Sequence, residues 1–346
     1  MKLNRLTSIA LGIGFTCAGA TGSMAAPPTT ILFNEFAPPP HILNKGVMGP
    51  WMKEVEKATH GRVKFQVPSN NLAPPPRQMD IVRSGIADGA YIFNGFLVKK
   101  APLIQVSLLP GVTRSSRGSA VALWRTYEKF FAKAHEFKGV TLLGFLSVAP
   151  GEIYSLTTPI RAISDLKGRK TWSLPGYTAK SVAAFGAVVV PGPAVHMYEI
   201  ISKGTVDAYA GVSVSSAKQF NVLRYAKSIT VLPNKVQGPT FSMFLSDRIW
   251  KKLSAADRKA IRSVSGEALA KLSQSGDALE ARVRAGLDKS IQVIDASPAF
   301  VADTEKAWAP IQANWVAQAD KRGVDGKAAL AYFKKVAAEE SGLSKR

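Results

Sequence analysis

Hydrophobic positions along this chain alternate between two rhythms. Residues 30–36, TILFNEF, read as a strand. Val47, Trp51, Val55 and Ala58 then recur at helical spacing, and Gly61 stops that helix. VKFQVP reads as a strand, Met79–Val82 as a short helix and AYIFNGF as a strand again. The rhythm restarts after VTLLGFLSV at 140–148. RKTWSL, AVVVP and VDAYAGV read as strands, separated by helical runs AKSVAAF and MYEIIS. Strand-helix-strand order implies parallel pairing with right-handed crossovers, and two such units in series imply two lobes. SITVLP and PTFSMFLS follow as strands suited to crossing between the lobes.

The last hundred residues are helical in pattern. Ser254 with Asp257 three residues on has the form of a capping box. From Ile261 through Val264, Ala268, Leu272, Leu279 and Val283 to Leu287, apolar residues share one face. The expectation is one amphipathic helix of roughly 30 residues, long enough to lie across both lobes. Trp308, Ile311 and Trp315 form a second apolar face, and Leu330, Phe333 and Val336 a third, all read as core.

The N-terminus departs from these rhythms. Lys2 and Arg5 precede an uncharged run from Leu6 to Met24, and small residues surround Met24. That is the layout of a cleaved secretory leader over residues 1–25, not of a spanning helix. Cys17, the only cysteine, lies inside it. The exported chain would hold no disulfide, thiol nucleophile or thiolate metal site. The formal charge is +21, and loss of Lys2 and Arg5 leaves +19. The basic residues are dispersed rather than packed into one run, so a basic surface is expected, not a nucleic-acid partner. Its field would still concentrate anionic solutes.

Catalytic signatures do not appear. His41, His60, His135 and His196 are far apart and lack metal-ligand spacing. There is no G-x-S-x-G, G-x-x-x-x-G-K-[ST] or G-x-G-x-x-G. No enzyme, no metal and no cofactor is expected. Two exported α/β lobes that close on a ligand at strand ends fit a solute-binding protein instead.

A set of motifs in fixed order sharpens that expectation. DLKGRKTWSLPG is followed by FGAVVVPGPAVHMYEIISKGTVDA; GRVKFQVPSNNL and VRSGIADGAYI precede them, and SDRIWKKLSAADRKAI comes later. Together they resemble the receptors of tripartite ATP-independent periplasmic (TRAP) transporters, the DctP-type dicarboxylate-receptor family, over about residues 30–290. The resemblance implies a two-lobed α/β fold of the periplasmic-binding-protein kind (type II-like), with crossing hinge strands and a long helix spanning both lobes. Residues 27–148 would form lobe I, completed by segments of about 240–346, and 149–239 lobe II. It implies a monomer in the periplasm that passes a small organic solute to a permease of small and large membrane subunits. A sensor or interaction protein on the same fold is the alternative.

The family's carboxylate clamp is where this chain departs. Arginine in the family's K-x-R-V-P-G suits a carboxylate because its planar fork donates two parallel hydrogen bonds. Counted forward from Asp165 that position is Trp172; counted back from Pro175–Gly176 it is Ser173. The family's asparagine falls on Gly211, and a further arginine falls near Gly151, beside Glu152. The pocket is therefore expected to hold an aromatic or largely apolar organic acid, with the Trp172 indole over its apolar part. A neutral or cationic solute is the second expectation, with Glu35 and Glu152 holding an amine. Lys170 or Arg169 would otherwise replace the arginine. Strand ends add Phe36, Asn71, Phe93, Asn94 and Tyr209 as candidate lining.

Overall fold

The computed structural model describes residues 27–342, so the leader expected over 1–25 lies outside the described residues. Among the described residues eleven strands form two sheets. The first contains β1 (Thr29–Asn34), β2 (Val63–Gln66), β3 (Gly89–Phe93), β4 (Val140–Ser147) and β10 (Thr240–Ser246), in the order β2-β1-β3-β10-β4. The second contains β5 (Glu152–Ser155), β6 (Lys170–Ser173), β7 (Val188–Pro191), β8 (Ala208–Val212), β9 (Ser228–Val231) and β11 (Gln292–Asp295), in the order β11-β9-β5-β8-β6-β7. Each sheet is parallel except for one strand that enters from the other lobe: β10 runs antiparallel to β3 and β4, and β5 to β8 and β9. A chain that leaves one sheet by its C-terminal edge enters the next in the opposite sense, which explains both exceptions.

The two crossings bind each other. Residues 148–151 lead from β4 to β5, and 232–239 lead from β9 back to β10. Val148 N–H donates to the Pro239 carbonyl at 3.2 Å, and Gly151 N–H to the Gln237 carbonyl at 2.9 Å. The hinge is therefore a short ribbon of two segments joined by backbone hydrogen bonds.

Alternation along the strands sets the cores. In β8, Ala208 and Ala210 face a core with Ile153, Val182, Phe185, Phe300 and Trp308, while Tyr209 faces the other side of the sheet. On that side Val190, Trp172, Tyr209, Tyr154 and Ile229 are successive partners across β7, β6, β8, β5 and β9. Tyr154 and Tyr209 stack with ring centres 4.2 Å apart. Cross-strand aromatic and β-branched pairs of this kind fix strand register.

Two expectations about the C-terminal region need correction. The run from Ile261 to Leu287 is not one helix but three: Ala255–Ser263, Glu267–Lys271 and Gln274–Ala285. Gly266 breaks it, at φ +58°, with its N–H donated to the Leu143 carbonyl of β4 at 2.7 Å. The helix across both lobes is Pro298–Asp320, 23 residues long and capped by Ser297. Its Trp308 indole donates to the Ser181 carbonyl in the second lobe, and its Trp315 indole to the Pro102 carbonyl in the first, each at 3.1 Å. Nor does all of 240–346 complete the first lobe: β11 pairs in parallel with β9 of the second sheet. Ser254 does cap its helix, accepting from Asp257 N–H at 3.0 Å. No described helix is long and apolar enough to cross a membrane.

Candidate functional site

The two lobes and the hinge enclose a narrow cleft. Its walls are aromatic. Phe36, Phe93, Phe96 and Phe241 come from the first lobe and Phe220 from the second; Leu174, Pro193 and Val212 complete the second-lobe side. Phe93 lies 5.5 Å from Phe96 and 5.6 Å from Phe241, and Phe36 lies 6.4 Å from Phe241. Only His41 and Ser216 bring polar side chains to the lining, and it carries no Asp, Glu, Lys or Arg.

Strand geometry explains which residues arrive there. Positions 170, 172 and 174 share one face of β6 and its extension. Lys170 is exposed at the outer end, Trp172 is fully buried in the cross-strand aromatic row, and Leu174 reaches the cleft. The same face that was expected to deliver Trp172 delivers the residue two positions on. The Trp172 Nε1–H has no partner, and the ring packs over Gly192, beside the Pro193 that lines the cleft. Ser173 points to the opposite side, buried, with its hydroxyl donated to the Leu174 carbonyl. Arg169 is spent on Ser155 and Thr158 at the far end of the strand. Neither Arg169 nor Lys170 stands in for the family's arginine.

The other candidates separate in the same way. Phe93 lines the cleft. Its neighbour Asn94 is buried in a polar network, donating to the Thr240 hydroxyl at 2.9 Å and accepting from Ser242 at 2.6 Å. Asn71 is exposed and holds its loop by accepting from Asn34 at 2.8 Å. Tyr209 is fully buried against Tyr154. Gly211 has φ +85°, and a β-carbon there would lie 2.4 Å from Thr178 Cγ2. Glu35 is half-buried at the end of β1, beside the lining residue Phe36. Burial pushes its carboxyl up to about 7 against the pull of Lys45.

Glu152 is fully buried behind the hinge, where Lys235 and Arg284 both pair with its Oε1. Arg284 also holds Glu280 at 2.7 Å, and Glu280 accepts from the N–H groups of Val214 and Ser215. This ion network ties the second-lobe helix Val214–Gln219 to Gln274–Ala285; Glu152 Oε2 has no partner, and the residue does not line the cleft.

In the sequence His41 stands out only as a histidine without metal-ligand spacing, yet with Ser216 it is one of two polar residues in the cleft lining. Burial lowers its pKa to about 4. Leu43 N–H donates to its Nδ1 at 3.3 Å, and its Nε2 has no partner. The ring lies 5.2 Å from Phe220 across the lobe boundary. The aromatic walls had a signal in the sequence: FNEF at 33–36 and FNGF at 93–96 repeat at the ends of β1 and β3, and the last phenylalanine of each lines the cleft. No group of three His, Cys, Asp or Glu able to hold a metal ion occurs among the described residues.

Known proteins of the same kind share this architecture. Residues 33–319 match the family described as bacterial extracellular solute-binding protein, family 7. The chain is 38% identical to the outer membrane transporter protein TsaT of Comamonas testosteroni over 310 residues, 89% of this chain and 92% of that protein. It superposes on a TRAP periplasmic solute-binding protein of Bordetella bronchiseptica, solved with bound (R)- and (S)-mandelate. The TM-score is 0.87 and the identity 27%, covering 90% of this chain and 99% of the other. A marine metagenome TRAP solute-binding protein specific for aromatic acid ligands, solved with 3-hydroxybenzoate, superposes with a TM-score of 0.82 at 25% identity. That match covers 91% of this chain and 99% of the other. With the two lobes, the paired hinge and the match over 33–319 together, this chain belongs to family 7 of the bacterial extracellular solute-binding proteins, the receptors of TRAP transporters.

Proposed function

We propose that this receptor captures an aromatic, largely apolar organic acid. It would do so in the periplasm, as a monomer freed of its leader, and pass the solute to the small and large membrane subunits of a TRAP permease without transforming it. The observation that carries the reading is the lining: five phenylalanines converge on one cleft that has no arginine. Rings placed edge-on and tilted around a flat solute add about 0.5–1.5 kcal/mol per pair beyond area burial. A small dicarboxylate would leave one charge against apolar walls, which costs several kcal/mol. The aromatic acids bound by the Bordetella and metagenome proteins support the same class.

A thermal-shift series tests it. Benzoate, mandelate and 3-hydroxybenzoate are expected to stabilise the protein, by about 2.7 kcal/mol at one hundred times the dissociation constant. Succinate and malate are expected to give no shift at millimolar concentration. Stabilisation by succinate and not by any aromatic acid would refute the proposal. The cation-free lining favours a second reading, a neutral aromatic solute; benzamide stabilising the protein while benzoate does not would select it.

A further inference from the structure

Of the four histidines, His41 is the buried one; His60, His135 and His196 are exposed. Its ring lines the cleft and sits where the lobes meet, against Phe220. The Leu43 N–H donated to Nδ1 fixes the tautomer: the neutral ring carries its proton on Nε2. That proton has no acceptor in the protein. A buried N–H without a partner destabilises a fold, and such groups are few in native structures. Among the described residues only one other buried side-chain nitrogen lacks a partner, the Trp172 indole, which does not line the cleft.

We infer that the Nε2–H of neutral His41 is the donor that grips the carboxylate of the solute, in place of the family's arginine fork. The inference rests on the aromatic-acid reading above and adds to it the gripping atom and its charge state. Protonation at Nδ1 would set a second N–H against that of Leu43, so the imidazolium is disfavoured where the ring sits. Burial acts in the same direction. The charged groups on the flanking segments, Glu35 and Lys45, act on each other. Lys218, on the neighbouring helix Val214–Gln219, is exposed. A neutral donor reads an acceptor atom rather than a charge. The cleft should therefore bind an uncharged acceptor of the same shape, as an arginine clamp would not.

Calorimetry with His41→Phe, which keeps an aromatic ring against Phe220 and removes the donor, tests this with three probes. Benzoate affinity is expected to fall roughly ten- to a hundredfold, the range for losing one hydrogen bond to a charged group. Benzamide is expected to weaken severalfold, and toluene, which has no acceptor, to change less than about twofold. The melting temperature without solute should stay within about 3 °C, since one unpaired N–H is exchanged for another, that of Leu43. Equal benzoate binding by both proteins overturns the inference and leaves the aromatic-acid reading standing. No binding of benzoate, mandelate or 3-hydroxybenzoate by the unmodified protein overturns that reading itself. Ring nitrogen NMR of the unmodified protein decides the matter even if the variant folds poorly. The benzoate complex should show one histidine with a protonated, deshielded Nε2 and a bare Nδ1. An imidazolium there, or an unchanged Nε2, overturns the inference.

Discussion

Gly151 and Gly211 pack backbone against backbone at the hinge: a β-carbon on Gly151 would lie 2.2 Å from the Gly211 carbonyl carbon. Gly211 in turn has φ +85°, where a side chain is strained, and a β-carbon there would lie 2.4 Å from Thr178 Cγ2. The resemblance places an asparagine of the usual clamp at this position, and the packing here forecloses it. Gly151→Ala and Gly211→Asn are each expected to destabilise the protein by about 1–3 kcal/mol or more, as overpacked sites do. Urea midpoints measure this. Because the Gly211 clash is with one methyl group, Thr178→Ser should recover part of the loss in Gly211→Asn and none in Gly151→Ala. Equal recovery in both would show that the contact is not local.

Trp172 belongs to the row Val190–Trp172–Tyr209–Tyr154 across the second sheet, and its side chain is fully buried. Trp172→Ala is expected to cost about 3–5 kcal/mol of stability, the range for emptying a large core site. Leu174→Ala, two residues on, should weaken an aromatic acid several-fold, because that side chain lines the cleft. Denaturation and calorimetry on the two variants separate the roles. A Trp172→Ala protein of unchanged stability and much weaker binding would restore the tryptophan to the site.

Much of this frame was legible as pattern. The apolar runs at TILFNEF, AYIFNGF, VTLLGFLSV and PTFSMFLS became β1, β3, β4 and β10, because buried strands demand continuous apolar residues bounded by turns. The strands EIYS and QVID were not legible. The first is four residues buried on both faces, and the second is a short edge strand, so neither shows a clean alternation. Helical spacing from Ile261 to Leu287 survived a break at Gly266, since periodicity is blind to a glycine whose backbone is claimed by Leu143. The site was harder still. Which of Trp172, Ser173 or Leu174 meets the solute depends on how far β6 runs past its neighbours, and that register is a tertiary fact. The unpaired Nε2 of His41 likewise exists only once Leu43 has claimed the other nitrogen.

Glu136 gives the stability a pH dependence whose sign can be worked out. One carboxyl oxygen accepts from Leu103 N–H at 3.1 Å and the other has no partner. Burial, against weaker pulls from Leu103, Arg322 and Ile104, raises its pKa to about 7. An unfolded glutamate titrates near 4.3. The folded state therefore binds a proton that the unfolded chain gives up, and its contribution is present below about 4.3 and lost as pH rises through about 7. Glu35 acts in the same sense and His41 in the opposite one. Comparison with Glu136→Gln isolates the one group. The melting temperature of the unmodified protein, relative to the variant, should fall between pH 5 and pH 8. A difference that stays constant or rises over that range would contradict the assignment.

Beyond the hinge, contacts between the lobes include His41 packed on Phe220 and Gln219 Nε2 donating to the Pro40 carbonyl at 3.3 Å. Phe220 follows the last turn of Val214–Gln219 and is half-buried, so it holds the second lobe's rim over the cleft rather than filling a core. Solute that bridges the lobes should draw them together, and small-angle scattering should show a smaller radius of gyration with saturating benzoate than without. Phe220→Ala removes both the ring over the solute and the contact to His41. It is expected to weaken benzoate about tenfold, since an aromatic pair contributes about 0.5–1.5 kcal/mol beyond the area it buries. The loss should lie in faster release, because entry needs the open form in either protein while the bound state loses its cover. Stability without solute should change by less than about 1 kcal/mol, as is usual for a rim side chain away from the core. Stopped-flow release rates test the point. A variant that releases benzoate as slowly as the unmodified protein, with an unchanged radius on binding, would show that closure does not depend on this ring.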